Sequence, residues 1–324
     1  MKHYLTSLYI ALLMLGGAKG LFAQQDPVLS LYRYNLNMFN PAVVGSPLQP
    51  TLGMSLRSQW QGIKDAPETQ VFTFATPTKN ERVGLGLQVI NDQTFAENQT
   101  RIFGSFSYKL PLNPDWDLYL GIQAGYHSIR VNASNLDVYG NFTTDPGLVD
   151  YSNINPNVGV GAYLKHENYY LSLSAPRILN SNRFDKTLDA YETVATNRVH
   201  IYGSAGASFP LNNQWDFVPS VFLGYVNSAP FLSMFNASFV YNKMIDFGVE
   251  YSIQSGFGGT LMVNAFKTFS IGYAYVPSVF NELRQFSKGS HELALRIRLG
   301  EAKDPLEDEA TENTTEEVSS ASSK

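Results

Sequence analysis

The 324-residue chain has no cysteine, which excludes a disulfide framework, a thiolate metal site and a lipid anchor on an acylated Cys. No apolar stretch beyond residue 23 approaches the roughly 20 residues that a membrane-spanning helix needs. Positive charge is in short supply. The 23 Lys and Arg stand against 28 Asp and Glu, a net charge of -5, so there is no basic face for nucleic acid. Histidine is sparse, and His127, His166, His200 and His291 show neither metal-ligand spacing nor a nucleophile and base in register. The glycine-rich run Ser255, Gly256, Phe257, Gly258 and Gly259 lacks the strand-to-helix context of a phosphate cradle and reads as a turn. The chain is therefore expected to have no catalytic residue, no cofactor and no metal site, and not to be an enzyme.

At the N-terminus, Met1, Lys2 and His3 precede an apolar core from Leu8 to Leu15 and a run of small residues ending at Ala23. A basic start, a short core and a small residue before Gln24 predict a secretory signal peptide over residues 1–23, cleaved after Ala23. The core is too short for an anchor helix.

From Leu52 to Leu299 one unit recurs: about ten residues alternating apolar with small or polar, then a turn. Its clearest copy places Leu118, Leu120, Ile122, Ala124 and Tyr126 on one face, and Tyr119, Gly121, Gln123, Gly125 and His127 on the other. That period of two belongs to a strand. One face suits lipid and the other water, and only a closed barrel pairs every backbone group while crossing lipid without helices. A mean hydropathy of -0.15 fits, because only alternate residues meet lipid. Aromatics make up 13% of the chain and are expected to gather in interfacial girdles near strand ends.

Strands are predicted at Thr51 to Gln59, Thr69 to Thr76, Arg82 to Ile90, Arg101 to Leu110, Trp116 to Val131, Asn157 to Lys165 and Tyr169 to Ala175. The series continues at Arg198 to Pro210, Trp215 to Val226, Phe231 to Tyr241, Met244 to Ile253, Gly259 to Phe266, Phe269 to Val276 and His291 to Leu299. The fold expected over residues 51–299 is all-β, a transmembrane antiparallel β-barrel of about 14 strands in the bacterial outer membrane, with both termini periplasmic. Short connections such as Pro77 to Glu81 alternate with longer ones, the longest being Asn132 to Pro156 and Pro176 to Asn197.

A charge on the lipid side at mid-membrane costs on the order of 2 to 4 kcal/mol. Arg57, Arg101, Lys165, Asp246, Glu250, Glu292, Arg296 and Arg298 are therefore expected to face the lumen and pair with one another. Residues 24–50 are too irregular for a strand pair and too apolar for a free linker, which predicts an N-terminal lumen plug or periplasmic cap. Residues 300–324 are acidic, rich in Ser and Thr and without apolar periodicity, a composition that predicts a disordered tail.

Some residues stand outside this alternation. Tyr34, Asn35, Asn37, Asn40, Pro41, Ala42 and Gly45, followed by Arg57, Gln59, Trp60, Gly62, Ala66, Pro67, Thr69 and Gln70, resemble the opening of the PorP/SprF family of type IX secretion system membrane proteins. Val83, Gly84, Leu85, Gly86, Leu87, Asn91 and Asp92 resemble that family's next block. So do Asn155, Pro156, Asn157, Gly159, Gly161 and Tyr163, then Leu171, Leu173, Pro176, Arg177 and Leu179. The resemblance covers nearly all of the chain between the leader and Leu299. It is most specific where Arg-x-Gln-Trp is followed by Ala-Pro-x-Thr-Gln. Gln93, where the family often continues toward a glycine, and the acidic tail depart from the pattern.

The resemblance implies an accessory of protein secretion that binds a large client, such as a gliding adhesin, through the client's C-terminal sorting domain. Other secretion components and outer-membrane lipid would be its further partners. An outer-membrane channel for small or hydrophobic molecules is the alternative. Candidate partner-binding or loop-fixing residues are Arg57, Gln59, Trp60, Gly62, Ala66, Pro67, Asn91 and Asp92. Trp60, Gly62, Ala66 and Pro67 link the first two strands, where an aromatic and a rigid Ala-Pro turn can hold a loop at the membrane surface. Setting a barrel turn is the plainer role for the same residues.

Overall fold

A computed structural model describes residues 27–132, 150–179, 181–182, 196–227, 229–266, 268–278 and 285–300. The signal peptide, the acidic tail and most of the two longest connections lie outside the described residues.

Fourteen antiparallel strands close into one barrel. They are β1 Thr51–Ser58, β2 Glu68–Pro77, β3 Val83–Thr94, β4 Glu97–Asn113, β5 Trp116–Val131, β6 Tyr151–Lys165 and β7 Tyr169–Arg177. The circuit continues through β8 His200–Ala207, β9 Trp215–Val226, β10 Leu232–Tyr241, β11 Ile245–Ser252, β12 Gly256–Ala265, β13 Phe269–Val276 and β14 Ser290–Arg298. Each strand pairs with its neighbours in sequence, and the pairing of Thr51 with Arg298 joins β1 to β14. Every edge is thereby consumed, which lets the sheet cross lipid.

All the strands expected from the sequence are present, but several run further than their apolar alternation. β3 continues to Thr94 and β4 begins at Glu97, pairing Asn91 with Thr100 and Asp92 with Gln99. β6 begins at Tyr151 and its first residues pair with the end of β5. These extensions are polar because they stand clear of the lipid, where alternation no longer has to separate lipid from lumen.

On β5, Leu120 and Ile122 are 46% and 59% exposed while Gln123 is 4% exposed, so the apolar face meets lipid and the polar face the lumen. Rings girdle the wall near the strand ends: Trp116 lies 4.8 Å from His166, and Trp215 4.8 Å from Tyr241. A second aromatic set occupies the lumen, away from the girdles expected. Phe39 packs on Phe222 and Tyr202 at 4.7 and 5.3 Å, and Tyr32 on Phe222 at 5.2 Å.

The lumen is threaded by the segment that precedes β1. Three 3-10 turns, Tyr32–Tyr34, Leu36–Met38 and Pro41–Gly45, keep it compact. Asn40 caps the third through its side-chain oxygen, which accepts from the Ala42 amide at 2.8 Å, and Pro41 follows where a missing N–H costs nothing. The Asn40 amide group also donates to the Ala162 carbonyl at 2.9 Å and to Ser172 Oγ at 2.8 Å on the wall. Inward-facing glycines make room. A Cβ on Gly121 would lie 2.2 Å from the Ala42 nitrogen, and one on Gly84 2.1 Å from the Gly45 Cα.

The segment runs from rim to rim. Pro27 lies beside Gln59 and Pro67 at one rim, and at the other Lys165 Nζ donates to the Ser46 carbonyl and the Leu299 amide to that of Pro50. The two ends of the barrel strand series, Thr51 and Arg298, thus share a rim as expected, but Pro27 opens at the opposite one. Because β6 and β7 form a hairpin between them, both longest connections leave at the Pro27 rim, together with residues 59–67.

The absence of cysteine makes sidedness measurable. With the long connections outside, Pro27→Cys is expected to react with a membrane-impermeant maleimide on intact cells. Leu48→Cys, at an exposed position near the other rim, should react only after the outer membrane is permeabilised. The opposite order would invert the threading.

Candidate functional site

Period two carries Arg57 and Gln59 onto the lumen face of β1 and its continuation. Arg57 is buried: Nη1 donates to the Val28 carbonyl at 2.6 Å and lies 3.7 Å from a Glu292 carboxylate oxygen on β14. Glu292 in turn accepts from the Ser30 amide at 2.7 Å and the Leu31 amide at 3.2 Å. On β11, Glu250 accepts from Ser30 Oγ at 2.8 Å, and Asp246 accepts from Arg33 and Tyr34. The Tyr32 hydroxyl shares a hydrogen bond of 2.8 Å with Ser220 Oγ on β9.

The expectation that wall charges pair with one another is therefore only partly met. Arg57 meets Glu292, but Asp246 and Glu250 are served by the threading segment. The reason is geometric: that segment lies between the walls and brings its own N–H and hydroxyl donors to each carboxylate.

Above this latch, the connection from Gln59 to Pro67 is stiff. The Gln59 amide donates to the Pro67 carbonyl at 2.9 Å and the Ile63 amide to that of Trp60 at 3.1 Å. Trp60, Gly62 and Asp65 all have positive φ, of 51°, 102° and 56°. Trp60 and Asp65 pay a steric cost there that Gly62 does not. Two backbone bonds, Gln61 to Gly289 and Lys288 to Gln61, tie the connection to the segment before β14.

Two cavities flank it. One of about 160 Å³ is lined by Pro27, Gln59, Pro67, Asp92, Thr94, Glu97 and Gln99. The other, about 540 Å³, is bounded by Lys64, Asp65, Gln93, Phe95, Ala96, Glu97, Asn98, Arg130 and Asn132. Gln59, Pro67 and Asp92 are thus brought together, with Asp92 Oδ1 accepting from Thr69 Oγ1 at 2.6 Å. Trp60, Gly62 and Ala66 shape the connection without lining either cavity. Arg57 lies below it in the latch. Asn91, one residue from Asp92, faces outward, paired with Gln70 and Thr100.

Sequence reasoning missed Phe95. It stands at the tip of the β3–β4 hairpin with φ of 51°, 54% exposed, its amide donating to the Asp65 carbonyl at 3.0 Å. The only signal was one aromatic in the polar run from Asn91 to Thr100. Pro27, Glu97 and Gln99 were missed because their meeting depends on the threading and on the polar hairpin above the membrane. The rim thus combines a stiff set of polar groups with exposed rings, Phe95 and, in the segment before β14, Phe286.

Arg57→Met would leave Glu292 buried beside its remaining donors without a cation, an expected cost of about 3 to 5 kcal/mol. The readouts are a lower unfolding midpoint in detergent and protease access to residues 27–50. Adding Glu292→Gln to the same chain is expected to recover a large part of the loss, because the amide oxygen still accepts from Ser30 without a charge.

A family model described as type IX secretion system membrane protein PorP/SprF matches residues 21–297. Among solved structures, a Pseudomonas aeruginosa FadL homologue is 13% identical, with 81% of this chain and 93% of that chain covered and a TM-score of 0.45. The Pseudomonas putida toluene transporter TodX is 8% identical over 87% of this chain and 94% of its own, with a TM-score of 0.45. The NanC porin is 10% identical over 77% and 100%, with a TM-score of 0.40. No curated relative matches the chain in sequence.

Proposed function

The chain belongs to the PorP/SprF family of type IX secretion system membrane proteins, and from that premise we propose that this outer-membrane barrel is a binding scaffold for a secreted client. The client would be a large surface protein, such as a gliding adhesin, held through its C-terminal sorting domain. Its landing site is the rim formed by the connection from Gln59 to Pro67, the β3–β4 tip at Phe95 and the cavities beside them. Other secretion components would meet the barrel at the same machine.

The observation that carries this reading is the division of labour between lumen and rim. The lumen is occupied by residues that satisfy the wall's buried charges, so the threading segment acts as a plug. The rim, by contrast, has a stiffened connection, positive-φ residues and an exposed aromatic. Backbone strain of that kind persists where the surroundings hold it in place, and it gathers at binding surfaces. A channel for small or hydrophobic molecules, the competing reading, needs the segment 27–50 to leave a lumen in which it is latched by Arg57, Glu292, Glu250 and Asp246.

An affinity pull-down of the tagged protein from detergent-solubilised outer membranes is expected to recover one large secreted protein bound by its C-terminal domain. Trp60→Ala and Phe95→Ala should leave heat-modifiable barrels in normal amount and lower that recovery about tenfold or more, the loss of about 1.4 kcal/mol or more at an anchor residue. Recovery of a partnerless barrel that conducts in a planar bilayer would replace the scaffold with the channel. Loss of the barrel in Trp60→Ala would reduce Trp60 to a turn residue.

A further inference from the structure

At the rim of short turns, the lumen opens into a cavity of about 330 Å³ between the threading segment and the wall. Three cations line it, Arg33, Lys165 and Arg296, and among the described residues no carboxylate does. The Arg33 charge is met by Asp246. Lys165 Nζ donates to the neutral Ser46 carbonyl at 3.1 Å, and its cross-strand neighbour Asp117 is shared with Lys109, 3.2 Å away. Arg296 makes no hydrogen bond or ion pair with any described residue, and Arg298 stands two positions further along the same face of β14. Arg296, held in the lumen without an ion pair among the described residues, leaves a positive potential at the mouth, focused by the low-dielectric wall.

The complementary charge lies in the same chain, rooted at the same place. β14 ends at Arg298, the Leu299 amide is bonded to the Pro50 carbonyl at 2.8 Å, and Gly300 turns the backbone with φ of 90°. After Gly300 come eight Asp or Glu and two Lys, a net charge of -6 against -5 for the whole chain. Everything before the tail is therefore close to neutral, and the acidic character of the protein is concentrated beside this cation-lined opening. Asp304 and Glu307, Asp308 and Glu309 follow the root by fewer than ten residues. That length spans at most roughly 30 Å when extended, enough to fold back into the mouth.

We propose that the cavity bounded by Lys165 and Arg296 is a carboxylate-binding site, and that its occupant is the chain's own acidic tail. Asp304 and the Glu307 to Glu309 cluster supply the charges complementary to Arg296 and Lys165. The site is independent of client binding, which uses the other rim.

The test uses the full chain in detergent micelles, with nitroxides on Thr311→Cys in the tail and Lys79→Cys on the β2–β3 turn, and the distance between them measured by pulsed dipolar spectroscopy. At low salt a narrow, short distance is expected. It should broaden and lengthen in Lys165→Gln/Arg296→Gln, in Glu307→Gln/Asp308→Asn/Glu309→Gln, and in 1 M salt, where screening falls to about 3 Å. The tail variant leaves the barrel untouched, so a folding defect cannot mimic release. A broad distribution in the unaltered chain, or a distance that either variant leaves unchanged, overturns the proposal.

Discussion

Three carboxylates on one side of the lumen, Asp246, Glu250 and Glu292, are buried in a protein whose walls are surrounded by lipid. Removing such groups from water costs several kcal/mol each unless donors replace the lost hydration. The donors come from residues 30–34 of the threading segment, across up to 262 positions of sequence. Hydrogen bonds to a charged acceptor contribute about 1.5 to 3 kcal/mol each. The carboxylates thus require the segment, and the segment, whose own structure is three short 3-10 turns, requires the carboxylates.

Apolar packing completes what the charges begin. Leu29, Tyr32, Leu36, Phe39 and Ala42 are almost wholly buried against Val71, Tyr119, Tyr202 and Phe222 on the surrounding strands. The approach is close enough that glycine is the fitting residue at positions 84 and 121, since any Cβ there would enter the segment's backbone. A barrel of this kind has two apolar environments, lipid outside and a packed core inside. This explains why its aromatics divide between girdles and lumen.

With the lumen threaded, the two rims differ in what they present. The rim with the long connections has a stiffened first link, an exposed Phe95 and the end of the threading segment in one cavity with Gln59, Pro67 and Asp92. The rim of short turns has cations and, following it in the chain, an acidic tail. Arg57 lies just below the first rim and holds the threading segment at the Val28 carbonyl, so the stiffened connection stands directly over the latch.

Strand number, strand order and the lipid-facing residues were legible in the sequence because alternation is local: each residue's face follows from its neighbour's. Even the split between Asn91 and Asp92 obeys that parity once β3 is continued past Ile90, though no apolar signal marks the continuation. The Arg-x-Gln-Trp and Ala-Pro residues pointed to a special first link for the same local reason, since turn chemistry is written in adjacent residues. What only the tertiary structure decided is the path of residues 27–50, the rim at which Pro27 emerges, and the assignment of Asp246, Glu250 and Glu292 to partners on that segment. Those contacts join residues about 200 or more positions apart. A hydrogen bond between Ser30 and Glu292 leaves no periodic trace in either stretch, so it exists only once the barrel has closed around the chain that threads it.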